Sequence, residues 1–259
     1  MTHKAHYSLK YEYELYADQE IERYKDSIPR SAILRIGDEA VAVLREREQP
    51  EFDELVIWAE VDKIIRARLR IPAYVTWRRR RLKLLAKFRQ PEHWGLAPDA
   101  PLVREIVAHA DTRVLVAGIA DGPILYLAAN GCRVTALEDT EDAAERVIAA
   151  AGQVGLTSRV DSCVVGLDAW APDAPLNAVV CTPAAFAHLT KDQRAQVIDL
   201  LKSATMDGGV HLVDTLVAGH RSRAVLSDDE LRARYHGWDI SIVSDERSNR
   251  TFLARKNVA

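Results

Sequence analysis

Hydrophobic residues follow two different rhythms along this chain. In residues 51–71, Leu55, Val56, Ala59, Ile64, Ile65 and Leu69 recur at helical spacing until Pro72 interrupts them. A second helix is predicted over residues 74–89, ahead of Pro91. Residues 31–43 are mixed and show no clear period. Five of the eight tyrosines fall within the first 24 residues, and the chain up to about Trp94 reads as mostly helical. The segment PEHWGLAPDAP, residues 91–101, reads as a linker or domain boundary.

Beyond it, short apolar runs alternate with amphipathic ones. Strands are predicted at 113–118, 133–138, 160–165, 177–181, 210–216, 239–243 and 251–254. Helices are predicted at 122–129, 140–153, 191–204 and 226–235, the third closed by a turn at Asp207, Gly208 and Gly209. This alternation predicts an α/β fold: a doubly wound, mainly parallel seven-stranded sheet over residues 96–259, beside an N-terminal mainly helical domain over residues 1–95. The last two strands have no helix between them. They should form an edge hairpin turning near residues 246–249, with the last strand the only antiparallel member.

Composition narrows the function classes. Of 259 residues, 48% are hydrophobic and 28% charged, as in ordinary globular proteins, and the formal net charge of -3 means that affinity for a polyanion would need a local patch. Cys132, Cys163 and Cys181 make no C-x-x-C pair and fall in or beside predicted buried elements, so neither a disulfide framework nor a metal site is expected. The opening MTHKAHYSLKYEYELY has no apolar core of a leader, and the longest apolar candidate, residues 114–130, is broken by Gly118, Asp121, Gly122 and Pro123. A cytoplasmic protein without a membrane span is expected.

Candidate chemistry sits in the first strand-to-helix turn, VLVAGIADGPILYLAANG. In doubly wound sheets ligands bind where the strand order reverses, beyond the carboxyl ends of the strands. Glycines there let backbone approach a ligand, and the following helix offers free N–H groups. The next strand ends in an acid, Glu138, 20 residues after Gly118, placed to accept hydrogen bonds from both ribose hydroxyls of a nucleoside. The strict G-x-G-x-x-G of dinucleotide binding is absent, since the chain reads G-I-A-D-G-P, and no Walker phosphate loop occurs.

The run RVLVAGIADG, then LYLAANG, then CRVTALE resembles the class I S-adenosylmethionine-dependent methyltransferases, whose first motif commonly reads V-L-D-x-G-x-G-x-G followed by V-T-x-x-D/E. Leu167-Asp168-Ala169-Trp170, LNAVVCT and MDGGVHLVDT extend the likeness, which covers residues 101–254. It implies S-adenosylmethionine as cofactor, with Gly118, Ala120 and Gly122 as the cofactor loop, Glu138 as the ribose acid and Asp168 on the adenine side. Two positions depart from the pattern. Ala120 replaces the middle glycine, and Val116 replaces the first-strand acid, where thiol and tellurite-type methyltransferases also carry an apolar residue. Gly118 and Gly122 also suit plain turn positions, Glu138 a solvated strand end, and Asp168 a helix N-cap.

If the nucleophile must lose a proton, His188, in the loop after the fourth strand, is the first candidate base, and His220, after the fifth, the second. His211 lies within a strand and reads as structural. Between Lys63 and Arg89 run eleven cations with no acid, among them Arg78, Arg79, Arg80 and Arg81. They suit a solvated helix paired with acidic stretches, or a surface for nucleic acid, an acidic protein or an anionic membrane. The resemblance implies methyl transfer to a small molecule. The alternative is an inactive methyltransferase-fold scaffold or binding subunit that docks through the arginine-rich helices.

Overall fold

The computed structural model describes residues 8–46, 53–109, 111–215, 226–244 and 250–258. By their internal contacts they form two compact units, Met1–Leu84 and Leu85–Ala259. The division falls ahead of the 91–101 segment that the sequence marks as the boundary. The reason lies in that segment: Trp94 and Leu96 pack on the second unit's core, and the buried Phe88 sits against the Trp94 ring.

The first unit is helical. Helix α1 (Leu9–Ser27) starts where the Ser8 hydroxyl accepts from the Tyr11 N–H, and ends at Ile28, held extended by the proline that follows. Helices α2 (Arg30–Glu46) and α3 (Glu54–Arg68) bring Ile36, Ala40, Val61 and Ile65 onto Ile21 of α1. Helix α2 covers the stretch whose period is unreadable in the sequence. Its buried positions Ile36, Ala40 and Leu44 do follow i, i+4, i+8, but Gly37 and the exposed Leu34 blur them. Helix α4 (Tyr74–Phe88) is tied to α1 by rings: Tyr13 meets both Tyr74 and Trp77 at 5.5 Å, and Tyr16 stacks on Trp77. The Tyr13 hydroxyl donates to the Pro72 carbonyl at 2.9 Å. This accounts for part of the N-terminal tyrosine cluster.

Among the described residues, all seven strands belong to the second unit. They are β1 (Arg113–Ala117), β2 (Arg133–Glu138), β3 (Val160–Val164), β4 (Leu176–Cys181), β5 (Thr205–Thr215), β6 (Asp239–Ser244) and β7 (Arg250–Arg255). The spatial order is β3-β2-β1-β4-β5-β7-β6. The sheet is mixed: β7 lies antiparallel between β5 and β6, and every other pairing is parallel. The β6–β7 turn lies outside the described residues.

One face of the sheet is covered by α5 (Pro101–Glu105), α6 (Asp121–Ala129) and α7 (Glu141–Gln153), packed on Val114, Val116, Val134, Ala136, Val180 and Leu212. The other is covered by α8 (Lys191–Ala204) and α9 (Asp228–Arg234), packed on Leu115, Ala117, Val179, Val213 and Phe252. Adjacent strand residues alternate between these faces, as the period of two requires. Both faces being covered explains why the strands read as continuous apolar runs.

The turn expected at Asp207–Gly209 is instead a bulge inside β5. Thr205 lies opposite Leu176 and Val210 opposite Ala178, so the β5 backbone takes up three more residues than β4 does. Gly208 absorbs the excess at φ 74°, and a Cβ on Gly209 would meet Thr205 Cγ2 at 2.5 Å. No helix among the described residues is long and apolar enough to cross a membrane.

Candidate functional site

The strand order reverses between β1 and β4. Chain leaving β1 crosses to β2 and on to β3, whereas chain leaving β4 crosses the other way to β5. The crevice beyond the carboxyl ends of β1 and β4 is therefore the place where this topology leaves room for a ligand. Registers Ala117 to Leu137, Ala117 to Cys181 and Glu138 to Val164 set the ends of four strands on one rim.

Gly118 turns the chain off β1 at φ 69°. A Cβ there would lie 2.6 Å from Thr182 Oγ1 and 3.1 Å from the Ala185 nitrogen. The position needs glycine on both counts. Thr182, one residue beyond β4, donates its hydroxyl to the Gly118 carbonyl at 2.8 Å, and its N–H bonds the Ala117 carbonyl at 3.1 Å. The loop after β4 thus braces the loop after β1. Ala120 is the N-cap residue of α6 and offers no side-chain cap, so the helix's first N–H groups keep their bonding capacity. Gly122 has a different reason to be glycine: a Cβ would lie 2.7 Å from the Trp94 carbonyl oxygen, in the 3-10 turn Pro91–Trp94 that packs on α6.

Glu138 ends β2 half-buried. Burial raises its pKa above the ordinary carboxylate value, the negative charge of nearby Asp121 adds to the effect, and Arg146 opposes it. Asp121 itself pairs with Arg146 at 3.3 Å. Among the described residues no hydrogen-bond donor reaches the Glu138 carboxylate. A partly desolvated acceptor without a donor is costly unless something supplies one.

The remaining sequence candidates spread along the same rim. Asp168 is exposed in the turn 166–170 after β3. It is no helix N-cap: its carboxylate folds over Gly166 and accepts from Gln193 of α8 at 3.5 Å. His188 is exposed between the 3-10 turn Pro183–Phe186 and α8. His220 lies outside the described residues. Asp121, Arg146 and Thr182 escaped the sequence reading, and only the aspartate at the start of a helix left any local signal.

His211 is buried away from the rim. The Thr205 hydroxyl donates to the Leu201 carbonyl at 2.7 Å, so toward His211 Nε2, also at 2.7 Å, its oxygen must accept. Nδ1 then accepts from the Tyr235 hydroxyl at 2.7 Å. Burial, with Lys202 and Lys256 nearby, holds this imidazole neutral with a pKa lowered to about 3. It is structural, as its strand position implies. Cys132 and Cys181 are buried and Cys163 is half-buried, no disulfide joins them, and burial lifts Cys132 to a pKa of about 11. A shallow hollow of about 590 Å³, lined by Pro172, Pro175, Met206, Asp207 and Lys256 among others, opens at the opposite edge, beside the amino ends of β4 and β5. It has no share in the rim chemistry.

No protein-family model matches the chain, and no curated protein does. Among solved structures it is similar to TehB from Haemophilus influenzae, at 21% identity and a TM-score of 0.47, over 56% of this chain and 57% of TehB. It is similar to the glycopeptide N-methyltransferase MtfA, solved with S-adenosyl-L-methionine, at 13% identity and a TM-score of 0.46, over 57% of this chain and 88% of MtfA. The [4+2]-cyclase SpnF is similar at 18% identity and a TM-score of 0.48, over 61% of this chain and 79% of that one. These likenesses are remote, and the chain's own residues carry the functional reading.

Proposed function

We propose that the second unit binds S-adenosylmethionine along the carboxyl ends of β1 and β2 and transfers its methyl group to a small-molecule acceptor. The observation that carries this reading is the Glu138 carboxylate: half-buried, raised in pKa and without a donor among the described residues, one strand from the Gly118 turn at the switch point. Two vicinal ribose hydroxyls would supply the two hydrogen bonds that it lacks. The Gly118 backbone and the uncapped N–H groups of α6 suit the carboxylate end of the ligand. Asp168 stands on the rim where the adenine edge would fall.

When bound, the cofactor supplies a methyl group on a positively charged sulfur, open to in-line attack by a nucleophile. The protein's part is to align that nucleophile and exclude water. For an acceptor that must lose a proton, His188 is the exposed imidazole on the rim and is assigned here as base. Ala120 adds one methyl where the middle glycine of the resembled motif would be, and narrows the loop without removing its backbone donors.

Thermal unfolding with S-adenosylmethionine or S-adenosylhomocysteine tests the reading. Ligand at a hundred times its dissociation constant adds about 2.7 kcal/mol of stability, which should raise the midpoint by about 5–10 °C in a chain of this size. NAD should give no shift. A chain unmoved by either adenosyl ligand at millimolar concentration is not this enzyme. A chain stabilised by them that transfers no methyl group to any small acceptor is the scaffold.

A further inference from the structure

Among the described residues, some cations of the basic stretch have partners and others have none. In α3, Lys63 meets Glu60 at 2.8 Å, Arg68 pairs with Glu39, and Arg66 lies over the Tyr13 ring at 5.8 Å. In α4, Arg81 turns inward to Glu12 of α1 at 3.3 Å, its side chain 15% exposed. Arg78, Arg79, Arg80 and Lys83 are exposed, and among the described residues none has an ion pair or a hydrogen bond. Four like charges on two turns repel one another, and no acid among the described residues pairs with them to offset that cost.

Helix geometry sorts the face further. At about 100° per residue, Tyr74, Trp77 and Arg81 point toward α1. Arg79 and Lys83 point away from α1, and Val75 and Leu82 lie beside them, about 20° apart, with Arg78 on their other flank, while Arg80 lies about 150° around the helix from that pair. Val75 is 67% exposed and Leu82 43%. Two apolar side chains at i and i+7 therefore form a short stripe between rows of cations.

We propose that this face of α4 docks on an anionic lipid surface. The cations would meet headgroup phosphates and carboxylates, while Val75 and Leu82 enter the boundary between headgroups and acyl chains. A nucleic acid would satisfy the same cations but offer nothing to the apolar stripe. Two small apolar side chains are too few for the packed centre of a stable protein interface. They are enough to anchor a helix at headgroup depth when several cations assist.

The test is co-sedimentation of the full chain with vesicles of phosphatidylcholine alone and of phosphatidylcholine mixed with phosphatidylserine. Arg78→Glu/Arg79→Glu and Val75→Ser/Leu82→Ser are the variants, and all four positions are exposed, so both proteins should stay folded. Binding only to the anionic vesicles is expected. It should weaken about thirtyfold or more in the charge variant, about tenfold in the serine variant, and steadily with added salt. No binding, or equal binding to neutral vesicles, overturns the proposal. So does tighter capture by an oligonucleotide at equal phosphate concentration, with the charge variant impaired and the serine variant unaffected.

Discussion

His211 sits between Tyr235 and Thr205 with both ring nitrogens committed, and protonating it would turn Nδ1 from acceptor to donor against the Tyr235 hydroxyl. The folded pKa is depressed, to about 3 from 6.5. Its contribution to stability is therefore present above the unfolded value and lost as pH falls through the window below it. The loss approaches about 1.4 kcal/mol per pH unit. Urea midpoints measured from about pH 7 to about pH 5 should fall in the wild type, with a visibly shallower fall in His211→Gln. Equal slopes would remove His211 from the acid response. Gly118 makes a second residue-scale prediction. Gly118→Ala places a methyl 2.6 Å from Thr182 Oγ1 at a positive φ. It should cost about 2 kcal/mol or more in chemical denaturation, and Thr182→Val, which only removes the 2.8 Å bond to the Gly118 carbonyl, about 1 kcal/mol. The positions of Gly118 and Glu138 at the ends of strands were legible because each marks where an apolar run stops. Thr182 was not, because its partner is 64 residues away in sequence and no local pattern records that approach.

Elements with their own boundary signals were read closely. Strand β2 runs Arg133–Glu138 as its apolar run dictates, and α8 runs Lys191–Ala204 as its amphipathic pattern dictates, its start held by a capping box that the structure reveals: Thr190 accepts from the Gln193 N–H while the Gln193 side chain accepts from the Thr190 N–H. Thr190→Ala should cost about 1 kcal/mol in thermal unfolding, with Thr190→Asn nearly neutral. A fully tolerated alanine would mean that the box contributes nothing in this context. Helix α2 was hidden because burial, not composition, picks out its inner face. The β5 bulge was hidden because Asp-Gly-Gly reads as a turn whether or not a neighbouring strand continues past it. Here β4 and β7 do, with the Lys256 N–H bonding the Gly209 carbonyl at 2.9 Å and the Gly208 N–H the Lys256 carbonyl at 3.0 Å. In Gly209→Ala the new Cβ would meet Thr205 Cγ2 at 2.5 Å and the Met206 oxygen at 2.8 Å. Circular dichroism melts should show this variant among the least stable single substitutions in the unit.

At the scale of the whole molecule, the alternation of strands and helices implied the sheet order's main consequence, a rim where ligand chemistry can gather. The place where the two units divide was less legible, since the proline-rich 91–101 segment looks like a linker while Trp94 and Leu96 are part of a core. The reaction itself is the least legible, because a fold accepts many chemistries and only the rim residues choose among them. Titration calorimetry of S-adenosylhomocysteine into the wild-type chain and into Glu138→Ala is the most direct test, with thermal unfolding confirming that the variant is folded. The wild type should bind. The variant loses two hydrogen bonds to a charged acceptor, each worth about 1.5–3 kcal/mol, and should bind at least about tenfold more weakly. Equal affinity in the folded variant, or no binding by the wild type, contradicts the assignment of Glu138 and with it the proposed cofactor site.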